Sequence, residues 1–237
     1  MFRGCRLGLK EHDPDRIGQH VRLVPEDVDG FISRTPADWA LGKPWDDDDL
    51  GNREIGNCGP AALVNWYKLM SLAAGRPDLA ARFTTEDAKA FYRACGWDGT
   101  DVGDEGVVLL DMMCEAMRTP IQGVKLDGFF AIGFADDAHL ATAVTLAPLI
   151  VGESLTQDCK TTDRWTEETA QGRLWGGHAV LYVSDSPGGG NCKTWGRPVF
   201  QDQGFRFARW NEAYLPICFE LMPHIDGELL AKIGSLL

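Results

Sequence analysis

Two short stretches carry residue types that could do chemistry together. Gly56-Asn57-Cys58-Gly59-Pro60 precedes an apolar run, Ala61 to Leu72, with helical spacing. Pro60 fits a first helical turn, so Cys58 falls at the helix N-terminus. There the unpaired N–H groups and the positive end of the helix dipole favour thiolate over thiol. The flanking glycines allow a second backbone to approach closely. The same junction also suits an ordinary buried cysteine. Trp175-Gly176-Gly177-His178-Ala179-Val180 puts a histidine at the mouth of an apolar strand. A lone histidine there is as readily structural. Thiolate chemistry, however, needs an imidazole within hydrogen-bond reach, contributed from far away in the chain. His12 and His20 lie in an irregular N-terminal segment, His139 on a short polar helix and His224 after Pro223. Only His178 begins a core-type strand.

The elements that must hold this pair follow from periodicity and punctuation. Residues 1–50 read as irregular, broken by Pro14, Pro25, Pro36 and Pro44 and closed by the run Asp46 to Asp49, a solvated loop by composition. Helices are expected from Pro60 to Ala74, from a Thr84 cap to Cys95, and from Gly106 to Arg118. Beyond Pro120 the period shortens. Strands are expected within Ile121–Ile132, at Pro148–Leu155, His178–Val183, Cys192–Gly196, Phe200–Phe207 and Ile217–Leu221. Short helices are expected at Asp136–Leu146 and Arg209–Tyr214, with a terminal one over Asp226–Leu237. Ser186 to Gly190 reads as a turn. Helices first and strands later make an α+β chain, not a βαβ alternation.

The 237 residues carry 23 Lys and Arg against 35 Asp and Glu, a net charge of −12. Such a chain repels phosphate backbones and anionic headgroups, which argues against nucleic acid as a partner. The longest apolar stretch, Ala141 to Val151, is interrupted by Thr142, Thr145 and Pro148, too short for a bilayer span. The N-terminus has no apolar run for a signal peptide, so a cytoplasmic setting is expected. Seven cysteines, none spaced Cys-x-x-Cys, disfavour a disulfide framework or paired-cysteine zinc site. No metal and no cofactor are expected.

In order and spacing, four stretches resemble the papain-like cysteine peptidase superfamily: Val24-Pro25-Glu26-Asp27-Val28-Asp29, Asn57-Cys58-Gly59-Pro60, Gly177-His178-Ala179-Val180 and Lys193-Thr194-Trp195-Gly196. With Trp210-Asn211-Glu212-Ala213-Tyr214, the pattern is similar to uncharacterised bacteriophage-encoded members. The resemblance implies an α+β, two-lobe fold: one domain over 1–237, with an irregular segment to about 50, a helical lobe over 50–120 that carries the nucleophile helix, an antiparallel β lobe over 121–222 and a C-terminal helix over 223–237. It implies a cysteine hydrolase, peptidase or amidase, acting through a Cys58–His178 dyad and a thioester on a peptide or protein in the cleft between the lobes.

Further roles follow by position. Asn52 stands where the family places the glutamine that donates to the oxyanion, one methylene shorter but still an amide donor. The family's orienting asparagine falls on Lys193, which cannot accept the imidazole N–H. Thr194 could serve as third member only if the strand register slips by one residue. Asn191 and Asp185 lie too far along the hairpin. Trp175 and Trp195 either roof the site or pack the core, and Glu153 either lines a specificity pocket or ends a solvated strand. The 24 residues before Pro25 leave no room for a large inhibitory pro-segment. The other reading is a catalytically weak scaffold serving as a phage virion or assembly component among other virion proteins, in host cytoplasm or virion.

Overall fold

The computed structural model describes residues 7–10, 38–41 and 48–237. Its central helix, α1 (Cys58–Ala73), is apolar on almost every side, and twelve of its sixteen residues are buried. A helix of that kind belongs inside a core. Around it lie α2 (Pro77–Ala80), α3 (Thr85–Ala94) and α4 (Leu109–Ala116). The expected Thr84 cap is a full capping box: the Asp87 carboxylate accepts from the Thr84 backbone N–H at 2.8 Å. Gly96, at φ +106°, follows the end of α3 where a left-handed residue is needed. Tyr67 of α1 stacks on Phe83 at 5.5 Å, which ties the helices together.

The second lobe is a seven-stranded sheet. Its strands are β1 (Gly128–Ala131), β2 (Leu149–Thr156), β3 (Arg164–Trp165), β4 (Leu174–Ser186), β5 (Gly189–Thr194), β6 (Arg197–Asp202) and β7 (Trp210–Ile217). They lie in the order β1-β7-β2-β4-β5-β6-β3, antiparallel except for the β3–β6 pair. Helices α5 (Asp137–Leu146), α6 (Glu167–Ala170), α7 (Gln203–Arg209) and α8 (Gly227–Leu236) decorate it. The Trp66 indole of α1 donates to the Pro148 carbonyl at 3.0 Å, where β2 begins. Helical lobe and β lobe are thereby joined, with α1 packed on β4.

Several stretches differ from expectation: the strand expected over Ile217–Leu221 is a 3-10 turn at Phe219–Leu221, because β7 already ends at Ile217. The strand expected over Phe200–Phe207 and the helical turn over Arg209–Tyr214 are displaced by several residues. The Asp202 carboxylate accepts from the Phe205 N–H at 2.7 Å and starts α7 there. The chain then returns as β7 beside β2. The turn expected over Ser186–Gly190 is shorter, because Gly189 and Gly190 already pair with β4 and β6.

The N-terminal fifth is not wholly irregular. Leu9 bridges Val107 in parallel, and Asp38 bridges Ser184. The Val24–Asp29 motif, His12, His20 and the first half of the Asp46–Asp49 run lie outside the described residues. Asp48 and Asp49 are not solvated loop: their side chains accept from the N–H groups of Leu50 and Gly51, both at 2.9 Å. Among the described residues no helix is long and apolar enough to cross a membrane.

Candidate active site

Cys58 is the first residue of α1 and is fully buried. Its sulfur accepts a hydrogen bond from the Ala179 backbone N–H at 3.3 Å. The helix N-terminus therefore meets β4 one residue beyond His178, joining the two sequence motifs across 121 positions. The His178 ring is also fully buried. Its Nε2 lies 2.6 Å from the Thr194 hydroxyl, while Nδ1 has no hydrogen-bond partner. Trp195 stacks on the imidazole with centroids 4.2 Å apart and planes 19° apart, and Trp175 stacks on Trp195 in turn. Trp195 holds φ +47°, and the Arg53 guanidinium donates to its carbonyl at 2.7 Å, which pins this turn to the helical lobe.

A β-bulge brings Thr194 rather than Lys193 to the histidine. Near the hairpin, Ser184 pairs with Asn191, but across Val183 the register shifts so that Tyr182 pairs with Cys192 and Leu181 with Lys193. Directly opposed residues share a face, so Lys193 shares the face of Leu181 and Ala179. Thr194 falls on the face of Tyr182 and His178. Without the bulge the two would exchange faces. The placement of Lys193 at the orienting position is thereby corrected.

Asn52 lies in a turn that closes on Asp49, is almost fully buried, and leaves its Oδ1 without a partner. Asn57, whose side chain sequence reasoning passed over, donates from Nδ2 to the Leu50 carbonyl at 2.9 Å and holds this turn against the start of α1. Glu153 is not at a solvated strand end: it is fully buried in β2 and accepts from Gln201 Nε2 at 2.8 Å. Burial pushes its carboxyl up to about 8. Among the described residues no three His, Cys, Asp or Glu side chains gather where a metal could bind.

The cleft is occupied by the chain's own N-terminal segment. Leu7 to Lys10 runs between the lobes, with the Leu9 N–H donating to the Gly177 carbonyl at 3.3 Å. The Lys10 N–H donates to the Val107 carbonyl, and the Val107 N–H to the Gly8 carbonyl, both at 2.8 Å. The Gly8 backbone N–H lies near enough to Cys58 to draw its thiol pKa down. The fit depends on glycine: a Cβ on Gly8 would stand 1.7 Å from the Gly56 oxygen, and one on Gly106 1.9 Å from the Gly8 oxygen. Both walls are pinned by one network. Asp104 accepts from the Gly56 N–H at 2.8 Å and from the Tyr92 hydroxyl at 3.0 Å, and the Gly106 N–H donates to that hydroxyl at 2.7 Å.

Covering the thiol changes its chemistry. Burial pushes Cys58 up to about 11, against the lowering pull of the N–H groups of Ala179, Gly8, Gly59 and Cys58. Burial pulls His178 down to about 3. In this state the pair is a neutral thiol beside a neutral imidazole.

The architecture matches solved structures. Xylellain, a cysteine protease from Xylella fastidiosa, superposes with a TM-score of 0.68 at 13% identity, over 90% of this chain and 96% of that one. The fold is papain-like. A recombinant stem bromelain precursor gives a TM-score of 0.55 at 12% identity, over 91% of this chain and 78% of that one. A Carica candamarcensis cysteine protease in complex with E-64 gives 0.52 at 13%, over 77% and 98%. The fold's neighbours are thus papain-like cysteine proteases, of bacterial and plant origin, and none of the three is viral. No family model matches the sequence, and no curated protein matches it.

Proposed function

We propose that the protein is a cysteine hydrolase, a peptidase or amidase whose nucleophile is Cys58 and whose base is His178. The observation that carries this reading is the meeting of a helix-N-terminal thiol with β4 beside an imidazole tethered at its far nitrogen by Thr194. With Nε2–H donated to the Thr194 hydroxyl, Nδ1 is the free base that takes the thiol proton. Stacking on Trp195 limits ring rotation. The thiolate attacks the substrate carbonyl carbon, and the oxyanion accepts from the Cys58 backbone N–H and the Asn52 amide. His178 returns the proton to the leaving amine, and water then hydrolyses the thioester.

The Leu7–Lys10 segment must leave before a peptide enters. Its departure admits water, removing the burial that holds the pair neutral. The test is turnover of peptide or ester substrates by the full chain and by Cys58→Ala and Cys58→Ser variants. Both should abolish turnover with a stability loss of no more than about 1–2 kcal/mol, because one small group is lost. Undiminished turnover in Cys58→Ala would remove this reading. The other reading is a catalytically weak scaffold, such as a virion or assembly component. The filled cleft favours it, and it predicts no turnover even after the segment is displaced.

A further inference from the structure

The turn between β5 and β6 is built on two left-handed residues, Trp195 at φ +47° and Gly196 at φ +74°, between the paired ends Thr194 and Arg197. Glycine accepts that conformation freely, but a residue as bulky as tryptophan keeps it only where its surroundings impose it. The Trp195 carbonyl, in the middle of the turn, lies outside the ladder between the two strands. The Arg53 guanidinium takes it from the other lobe, donating through Nη2 at 2.7 Å. The same guanidinium is held from behind, with its Nε 3.0 Å from Asp49 Oδ2. The other Asp49 oxygen accepts from the Gly51 N–H at 2.9 Å, and the Asp49 carbonyl accepts from the Asn52 N–H at 3.0 Å. Arg53 therefore stands between the turn that carries Asn52 and the turn that carries Trp195, with a donor committed to each. A planar guanidinium fork serves two acceptors in fixed directions, and a lysine ammonium is a point charge without that geometry. The Arg53 side chain is 44% exposed. An ion pair so open to water contributes little to global stability, so its effect is local.

What this turn governs is the imidazole. The Trp195 indole stacks on the His178 ring, and the residue before it, Thr194, holds Nε2. Both contacts come from consecutive residues at one end of one hairpin. Nδ1 has no hydrogen-bond partner to set the ring's angle from the other side. We infer that Arg53 is a positioning residue for His178: held by Asp49, it fixes the Trp195 turn, and through that turn the plane of the imidazole. The inference rests on reading Cys58 and His178 as the catalytic pair. Without Arg53 the turn is free to relax away from the left-handed conformation at Trp195. The indole then tilts on the imidazole, and the Thr194 hydroxyl shifts with it. Trp165 and Trp175 pack against the same indole, so it stays in place; what Arg53 sets is its angle. Proton transfer from the thiol depends steeply on that angle, because small misplacements of a reacting group are costly in rate.

The first arm of the test uses the full chain and needs no turnover. Histidines are isotopically labelled for NMR, and the His178 ring is identified by the signals missing from a His178→Ala chain. Stacking over an indole shifts ring protons upfield. In Arg53→Met the His178 protons should move downfield, while the thermal midpoint falls by no more than about 4 °C. Asp49→Asn, which leaves Arg53 in place without its ion pair, should move them the same way by less. His178 signals at their wild-type positions in a folded Arg53→Met chain would overturn the inference. The second arm follows iodoacetamide labelling of Cys58 in the Gly8→Ala chain. Adding Arg53→Met should slow it about tenfold across the pH range in which the imidazole titrates. Arg53→Lys should recover little of the loss, because the fork is missing. Full recovery with lysine would overturn the inference, since charge alone would then suffice. With a cleaved peptide amide the loss should fall on kcat and leave KM unchanged; a loss confined to KM would overturn it. If the His178 signals move as expected but Cys58 labels no faster than in Gly8→Ala/His178→Ala, the positioning by Arg53 stands and the hydrolase reading fails.

Discussion

Replacing Gly8 with alanine adds a methyl that would stand 1.7 Å from the Gly56 carbonyl oxygen and 2.2 Å from its carbon. Both are backbone atoms, and Gly56 is held by two hydrogen bonds to Asp104, so the wall does not yield. The segment must lift, and the hydrogen bonds at Leu9, Lys10 and Val107 go with it. At about 1 kcal/mol each, their loss amounts to about 3 kcal/mol. That shifts the ratio of uncovered to covered cleft by roughly a hundredfold. The assay is iodoacetamide labelling, with each cysteine followed by mass spectrometry of its peptide. In the wild-type chain at pH 6, Cys58 should label no faster than the partly exposed Cys95 and Cys114, because it is buried and protonated. An activated thiol that outpaces the other six cysteines is expected only once the segment is gone. In Gly8→Ala the Cys58 rate should rise by one to two orders of magnitude, while the chain stays folded with a thermal midpoint lower by several degrees. Wild-type labelling in a folded Gly8→Ala chain would refute the account of the segment as a cover.

Three further outcomes follow. Thr194→Val removes the Nε2 partner of His178 and should cut kcat at least tenfold, while Thr194→Ser restores most of it; Lys193→Asn should bring no gain, since the bulge turns position 193 to the other face. Asn52→Ala should lower kcat by about a hundredfold with little change in KM if its amide holds the oxyanion, a loss typical of one such donor. Glu153, raised to about 8, is protonated when folded and ionised when unfolded between its ordinary carboxylate range and that value. Its contribution to stability is therefore full at acid pH and declines as pH rises through 8. Glu153→Gln should lift the thermal midpoint at pH 8 relative to wild type and leave it nearly unchanged at pH 4.

What could be read in the sequence was local. Gly-Asn-Cys-Gly-Pro announced a thiol at a helix start because proline and glycine act within a few residues. Thr84 and Asp87 announced a capping box for the same reason. His178 stood out because a glycine pair opened an apolar strand. Features set by pairing between distant strands were not legible. The bulge at Val183 decides whether Thr194 or Lys193 meets His178, and nothing in the composition of β4 marks it. Glu153 read as a strand end because the neighbours of β2 were unknown; flanked by β4 and β7, it is buried. Reading Arg209–Tyr214 as a helical turn hid β7, and with it the pairing of Glu212 with Gly152. Leu7 to Lys10 docks through backbone groups and glycine-width gaps, so its three side chains carry no periodic signal.

The central claim is that Cys58 is a nucleophile activated by His178. The most direct measurement is the reaction of a peptidyl chloromethyl ketone with the Gly8→Ala chain, followed by intact-mass and peptide analysis. The account predicts a single adduct, on Cys58, formed at least a hundredfold faster than in a folded Gly8→Ala/His178→Ala chain. Alkylation spread over several cysteines, or a Cys58 rate that is the same with and without His178, would contradict it.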